Sequence, residues 1–165
     1  MTDDELLDAA RTVREKAYCP YSNFHVGAAI LDDNGDVHVG CNVENAAYSN
    51  VSCAEAGAIS AMVAAGGKRI VKIAIAGGDA SKTRSCTPCG GCRQRIDEFA
   101  DENTRLIVKD NDENWHSYSM DELLPVHILN AFEAVHLRRG TNVSGGLAAG
   151  LMSGKTSGCN AHVRR

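Results

Sequence analysis

Seven cysteines stand in this 165-residue chain, and three of them are spaced for chemistry. Cys53 lies in Ser52-Cys53-Ala54-Glu55, and Cys89 and Cys92 in Pro88-Cys89-Gly90-Gly91-Cys92, each group at the start of a predicted helix. The Cys-x-x-Cys spacing puts two sulfurs on one helical turn, and a thiol from a second helix completes a three-ligand set. Helix N-termini favour negative charge, which predicts that all three are primed as thiolates. Soft sulfur ligands in tetrahedral geometry suit zinc, one ion per chain, and three protein ligands leave a fourth position open. Glu55 follows Cys53 by two residues, a spacing that does not share a helix face. It is therefore a poor co-ligand, yet it can stand beside the open position as a general base for water.

Plainer readings compete. Ser52-x-x-Glu55 is also the pattern of a helix capping box. Cys86, three residues before Cys89, would turn the set into a closed four-thiolate structural site. The run Cys86-x-x-Cys89-x-x-Cys92 hints at iron-sulfur ligation, but Ile96 and Asp97 stand where a further Cys and Pro are required. Spacing alone leaves catalytic and structural zinc both open.

Composition narrows the surroundings. One domain is the expectation at this length. Lys and Arg total 17 against 21 Asp and Glu, and aromatics make up only 5%. A net charge of -4 with so few rings argues against a nucleic-acid partner. The beginning Met1-Thr2-Asp3-Asp4-Glu5 lacks a signal peptide's basic and apolar regions, and the charge-free stretch from Ala56 to Gly67 is too short for a bilayer. A cytoplasmic protein without a membrane partner is expected. There the odd cysteine count points away from disulfides.

These side chains need elements to carry them. Leu6, Leu7, Ala10, Val13 and Ala17 recur at helical spacing over Thr2–Ala17, opened by the capping box Thr2-x-x-Glu5. Strands are predicted at Val26–Leu31 and Val37–Val43 around an Asn34-Gly35 turn, then at Ile70–Ala76, Arg105–Lys109 and Trp115–Ser119. Helices are predicted at Ser52–Ala65, Pro88–Ala100, Met120–Leu124 and Val126–Arg139. This order makes an α/β domain over 1–139, a mixed sheet covered by helices. The Gly-rich stretch 140–165 has no period and is expected to be a disordered tail.

Four motifs in consistent order resemble one family. They are Tyr21-Ser22-Asn23-Phe24-His25-Val26-Gly27-Ala28-Ala29, Gly40-Cys41-Asn42-Val43-Glu44-Asn45-Ala46-Ala47-Tyr48, Cys53-Ala54-Glu55 and Pro88-Cys89-Gly90-Gly91-Cys92-Arg93-Gln94. Over roughly residues 5–125 the chain is similar to the cytidine deaminases of the small homotetrameric, three-cysteine kind. The cysteine motifs also match the zinc-deaminase signature, in which a Glu shuttles protons. The resemblance implies a three-layer α-β-α fold with a five-stranded mixed sheet. It implies hydrolytic deamination of cytidine and 2′-deoxycytidine in nucleoside salvage, with zinc on Cys53, Cys89 and Cys92 and Glu55 as the shuttle. Phe24 then packs on the base and Asn42 and Glu44 bind the ribose. The segment Asn42, Val43, Glu44, Asn45, Ala46, Ala47 and Tyr48, with Ala54, forms the substrate site. Pockets are shared between subunits, so Ala46 and Tyr48 serve an adjacent chain.

The chain departs from that pattern in three places. Ala56 stands where the family commonly has Arg, so the charge of three thiolates must be offset by helix dipoles or a donor such as Arg93. Five residues separate Leu123-Leu124-Pro125 from Ala131-Phe132, which moves the family's terminal Phe to Phe132 or removes it. The stretch beyond Gly140 has no counterpart. Two rival functions stand beside the first: deamination of a modified cytosine nucleoside of the blasticidin S type, and a structural zinc module.

Overall fold

The computed structural model describes residues 1–126 and 128. The helix expected over 126–139, the tail 140–165 and the question of Phe132 lie outside the described residues, apart from Val126 and Ile128. The elements in order are α1 (Asp3–Arg14), β1 (His25–Asp32), β2 (Val37–Cys41), a 3-10 turn (Tyr48–Asn50), α2 (Ala54–Ala64), β3 (Ile70–Gly78), β4 (Thr83–Arg84), α3 (Gly90–Asp97), β5 (Arg105–Lys109), β6 (Trp115–Tyr118) and α4 (Met120–Leu123). Five strands form the path β2-β1-β3-β5-β6, and β4 adds a two-residue pairing on β3. The sheet is mixed, as the sequence predicts. Its pairs are antiparallel except for β3 and β5, whose parallel register needs the crossover that α3 supplies. The extra strand β4 was not predicted, because two residues carry no alternation to read.

Alternation along β1 and β3 builds two cores. Ala28, Ile30, Ile73 and Ile75 face α2 and α3, joined by Ala58, Met62, Ile96, Leu106 and Val108. Ala29, Ala74, Ala76 and Ile107 face α1, which buries Leu6, Leu7 and Ala10 against them. A three-layer α-β-α arrangement results. The α1 face is lined with small side chains, and α1 sits so close that a Cβ on Gly27 would run into the backbone of Ala10 and Arg14.

Helix ends follow local chemistry. Thr2 and Glu5 form the predicted capping box of α1. The helix stops at Arg14 rather than Ala17, because Tyr18 leaves to pair with Val43, its N–H donating to the Asn42 carbonyl at 3.0 Å. Helix α2 starts at Ala54 and not Ser52: Ser52 exchanges backbone hydrogen bonds with Val43, at 2.9 and 3.0 Å. The Ser52–Glu55 capping box therefore does not form, and Cys53 takes the N-cap position with no side-chain cap bond. Helix α3 likewise begins at Gly90 with Cys89 as its N-cap, and ends at Asp97, three residues before the predicted Ala100.

Candidate metal centre and substrate site

The N-termini of α2 and α3 meet at one end of the sheet. The Sγ atoms of Cys53, Cys89 and Cys92 lie within 4.8 Å of one another. Tetrahedral zinc with bonds near 2.3 Å would hold its sulfurs about 3.8 Å apart, so the cluster needs only a small contraction. Cys53 and Cys89 leave their N-cap duties undone, which keeps both sulfurs free for an ion. Cys92, in the first turn of α3, is fully buried. Among the described residues this is the only such group of metal-ligating side chains. Cys86 is not part of it, so the closed four-thiolate site is not assembled.

The expectation that all three sulfurs are primed as thiolates is corrected. The Cys92 backbone N–H holds the Cys89 thiol below its usual range, as a helix N-terminus should. Burial pushes Cys53 and Cys92 up instead. Three packed sulfurs, two of them desolvated, cannot all carry charge without a cation among them. That donor set fits zinc, whose charge deprotonates coordinating thiols.

Glu55 sits one residue into α2 with only 4% of its surface exposed. Burial lifts its carboxyl above the usual range, while the Cys92 thiol and the Arg95 charge pull it back. A carboxyl whose hold on its proton is strengthened by burial, beside three thiols, is suited to take up and release protons. Its charge in turn reaches Cys86, where burial first and Glu55 second push the thiol up to about 12. Arg93 is held by backbone carbonyls: its Nε donates to that of Pro88 and a terminal nitrogen to that of Leu123, both at 2.8 Å. Arg93 thus ties α3 to α4. The Arg95 charge reaches Glu55, and Arg95 is a residue that spacing gave no reason to choose.

The structure places Phe24 beside Gly77 and Cys86. A Cβ on Gly77 would come 3.0 Å from the Phe24 ring and 2.5 Å from the Cys86 sulfur. Asn42 binds the loop that carries this ring. Its Nδ2 donates to the Phe24 carbonyl at 2.9 Å, and its Oδ1 accepts from the Val26 N–H at 2.8 Å. Glu44 accepts the N–H groups of Tyr21 and Ser22 at 2.9 and 3.2 Å. Val43 pairs with Ser52, which locks this segment to the residue before Cys53. Ala54, the first residue of α2, is buried between Cys53 and Glu55. The elements bring Phe24, Asn42, Val43, Glu44 and Ala54 to the metal end of the sheet.

Asn45, Ala46, Ala47 and Tyr48 remain on the surface. Asn45 folds its Oδ1 onto the Ala47 N–H, and Tyr48, 78% exposed, meets Tyr21 edge to face at 6.4 Å. A cavity of about 220 Å³ between them is lined by Tyr21, Ser22, Glu44, Asn45, Tyr48 and Val51. Tyr21 and Ser22 both belong to the Tyr21–Ala29 motif, but their residue types alone give no sign of a place in this cavity. Among the described residues no helix is long and apolar enough to cross a membrane.

Comparison with known proteins agrees with this geometry. Residues 1–108 match the model of the cytidine and deoxycytidylate deaminase zinc-binding region. The chain is 35% identical over 119 residues to a cytidine deaminase of Mycoplasma genitalium, covering 72% of this chain and 89% of that one. It is 38% identical over 120 residues to one from Halalkalibacterium halodurans, covering 73% and 89%. Among solved structures, the cytidine deaminase of Burkholderia pseudomallei superimposes with a TM-score of 0.69 at 38% identity, over 78% of this chain and all of that one.

Proposed function

The chain belongs to the cytidine and deoxycytidylate deaminase family, and on that premise we propose that it is a zinc-dependent hydrolase converting cytidine and 2′-deoxycytidine to the uridines and ammonia. One observation carries the reading: a buried carboxyl, Glu55, beside three sulfurs gathered within 4.8 Å from two helix N-termini. A structural zinc site has no use for a buried acid next to its ligands.

Cys53, Cys89 and Cys92 would hold the ion, and bound zinc would supply a Lewis acid that makes water more acidic. Glu55 then takes one proton from the water whose oxygen adds to C4 of the pyrimidine, and delivers it to N3. C4 becomes tetrahedral. Glu55 moves the second proton to the exocyclic amine, the C–N bond breaks, ammonia leaves, and C4 keeps the oxygen as a carbonyl. The raised affinity of the buried carboxyl for protons suits this shuttle, since each transfer must be reversible near neutral pH. Burial also keeps bulk water from competing for those protons.

The rest of the site orients the nucleoside. Phe24 packs on the base, and the backbone of Ala54 lies against its polar edge. Asn42 and Glu44 bind the ribose, with Val43 as the backbone link to the ligand helix. The exposed Asn45, Ala46, Ala47 and Tyr48 fit a homotetramer in which this segment completes a neighbour's pocket. A chain of 78% exposed Tyr48 and half-exposed Tyr18, Tyr21 and Val43 supports such an assembly, because apolar surface of this kind is usually covered. Free cysteines throughout the described residues suit the cytoplasm. Ultraviolet-monitored loss of cytidine, with zinc counted per chain, tests the reading. An inactive protein that holds full zinc contradicts it.

A further inference from the structure

We infer that Ser22 is a positioning residue for sugar recognition, its hydroxyl fixing the Glu44 carboxylate and the Phe24 backbone in a single register. The inference rests on the nucleoside reading above. Ser22 Oγ donates to Glu44 Oε1 at 2.5 Å and accepts the Phe24 N–H at 3.0 Å. It is therefore one atom in contact with both the acid that meets the ribose and the residue that meets the base. Asn23 between them has a positive φ of 54°, which folds the chain so that the hydroxyl reaches forward two residues.

Counting hydrogen-bond capacity shows what remains for a ligand. A carboxylate offers about four lone-pair sites. On Glu44, Oε2 is filled by the N–H groups of Tyr21 and Ser22, and Oε1 already holds the Ser22 hydroxyl. One site is left, on Oε1, and Ser22 decides where it points. Asn42 is committed in the same way: one Nδ2 hydrogen goes to the Phe24 carbonyl and one Oδ1 lone pair to the Val26 N–H. Each side chain thus has a single free donor or acceptor of each kind it offers. A sugar hydroxyl can donate to Glu44 Oε1 while accepting from Asn42 Nδ2, provided both stay in register with Phe24. The hydroxyl of Ser22 is also the first of the contacts that hold the Glu44 carboxyl below its usual range.

The test compares wild type with Ser22→Ala, Ser22→Thr and Ser22→Val, using cytidine turnover and the inhibition constant of 2′,3′-dideoxycytidine as competitor. Thr and Val differ only in the hydroxyl, so they separate its effect from packing if the Ala variant folds poorly. Losing a hydrogen bond to a charged group should raise the KM for cytidine about tenfold in the Ala and Val variants, with kcat within about twofold. The Thr variant should return to within about threefold of wild type on the same scale. 2′,3′-Dideoxycytidine lacks the 2′- and 3′-hydroxyls and so offers Glu44 no ring hydroxyl to accept from; its inhibition constant should change by less than about twofold. Unchanged KM in both the Ala and Val variants overturns the inference, as does an equal weakening of dideoxycytidine. A wild type that leaves cytidine untouched overturns the nucleoside reading itself, a different and distinguishable result.

Discussion

Gly40 is the residue whose side chain is most plainly forbidden by the site's geometry. It lies in β2 opposite Ala28 of β1, directly beneath the helix that carries Cys53 and Glu55. A Cβ there would come 2.5 Å from the Ala54 carbonyl oxygen and 2.8 Å from the Gly57 carbonyl carbon, and closer still to the Ala58 nitrogen. All three are backbone atoms of α2, so no side chain can rotate away. Ordinary contact begins near about 3.5 Å, so Gly40→Ala must lift the start of α2 by about 1 Å. A displacement of that size at a catalytic group costs about 100-fold in rate, and overpacking costs about 2 kcal/mol of stability. The assay is kcat/KM for cytidine with zinc content and unfolding midpoint measured on the same preparation. Gly35→Ala is the control. Gly35 has a φ of +87° in the β1–β2 turn and open space around it, so its variant should lose about 1 kcal/mol of stability and no activity. A Gly40→Ala enzyme with wild-type kcat/KM refutes the claim that this contact sets the depth of Glu55.

Other outcomes follow from the same coordinates. Removing zinc with a chelator should abolish turnover and make the three clustered thiols titratable by a thiol reagent; reactivity that is unchanged on chelation would show that they hold no ion. Asp32 is 2% exposed and faces His38 Nε2 at 2.9 Å. Burial works to raise its pKa, but the His38 bond and the N–H groups of Asp36 and Asn34 outweigh it, leaving the carboxyl below its usual range. Its contribution to stability is therefore complete above the unfolded value near about pH 4 and disappears as pH falls through the lower folded value. Asp32→Ala should cost about 3 kcal/mol at pH 7 and flatten this part of the acid unfolding curve; an unchanged curve would place the acid sensitivity elsewhere. Arg93→Met should detach α3 from α4 and lower the unfolding midpoint, measured calorimetrically, while Arg95→Met should leave the midpoint close to wild type.

Much of this was legible in the residues because the patterns are strong. Strand β5 runs from Arg105 to Lys109 as its apolar run predicts, and Cys53, Cys89 and Cys92 gather into one cluster as their spacing suggests. What spacing could not tell was burial. Ser52-x-x-Glu55 reads equally well as a capping box, and only the pairing of Ser52 with Val43 shows that Glu55 is turned inward instead. The thiol charges failed for the same reason: a helix N-terminus stabilises Cys89, but desolvation at Cys53 and Cys92 is stronger, and it depends on tertiary packing. Arg93 also ties α3 to α4 through two carbonyls, a structural task that its place in the motif does not announce. Ser22 is a small polar residue in a loop, and nothing in its type announces that it bridges Glu44 and Phe24.

The account stands most directly on Glu55, so the decisive measurement is cytidine turnover by wild type and Glu55→Gln at equal zinc content. Gln keeps the shape and cannot shuttle a proton. The account predicts an active wild type and a variant that retains its zinc but loses about 10²- to 10⁴-fold in kcat. A fully metallated Glu55→Gln enzyme working at the wild-type rate would contradict it.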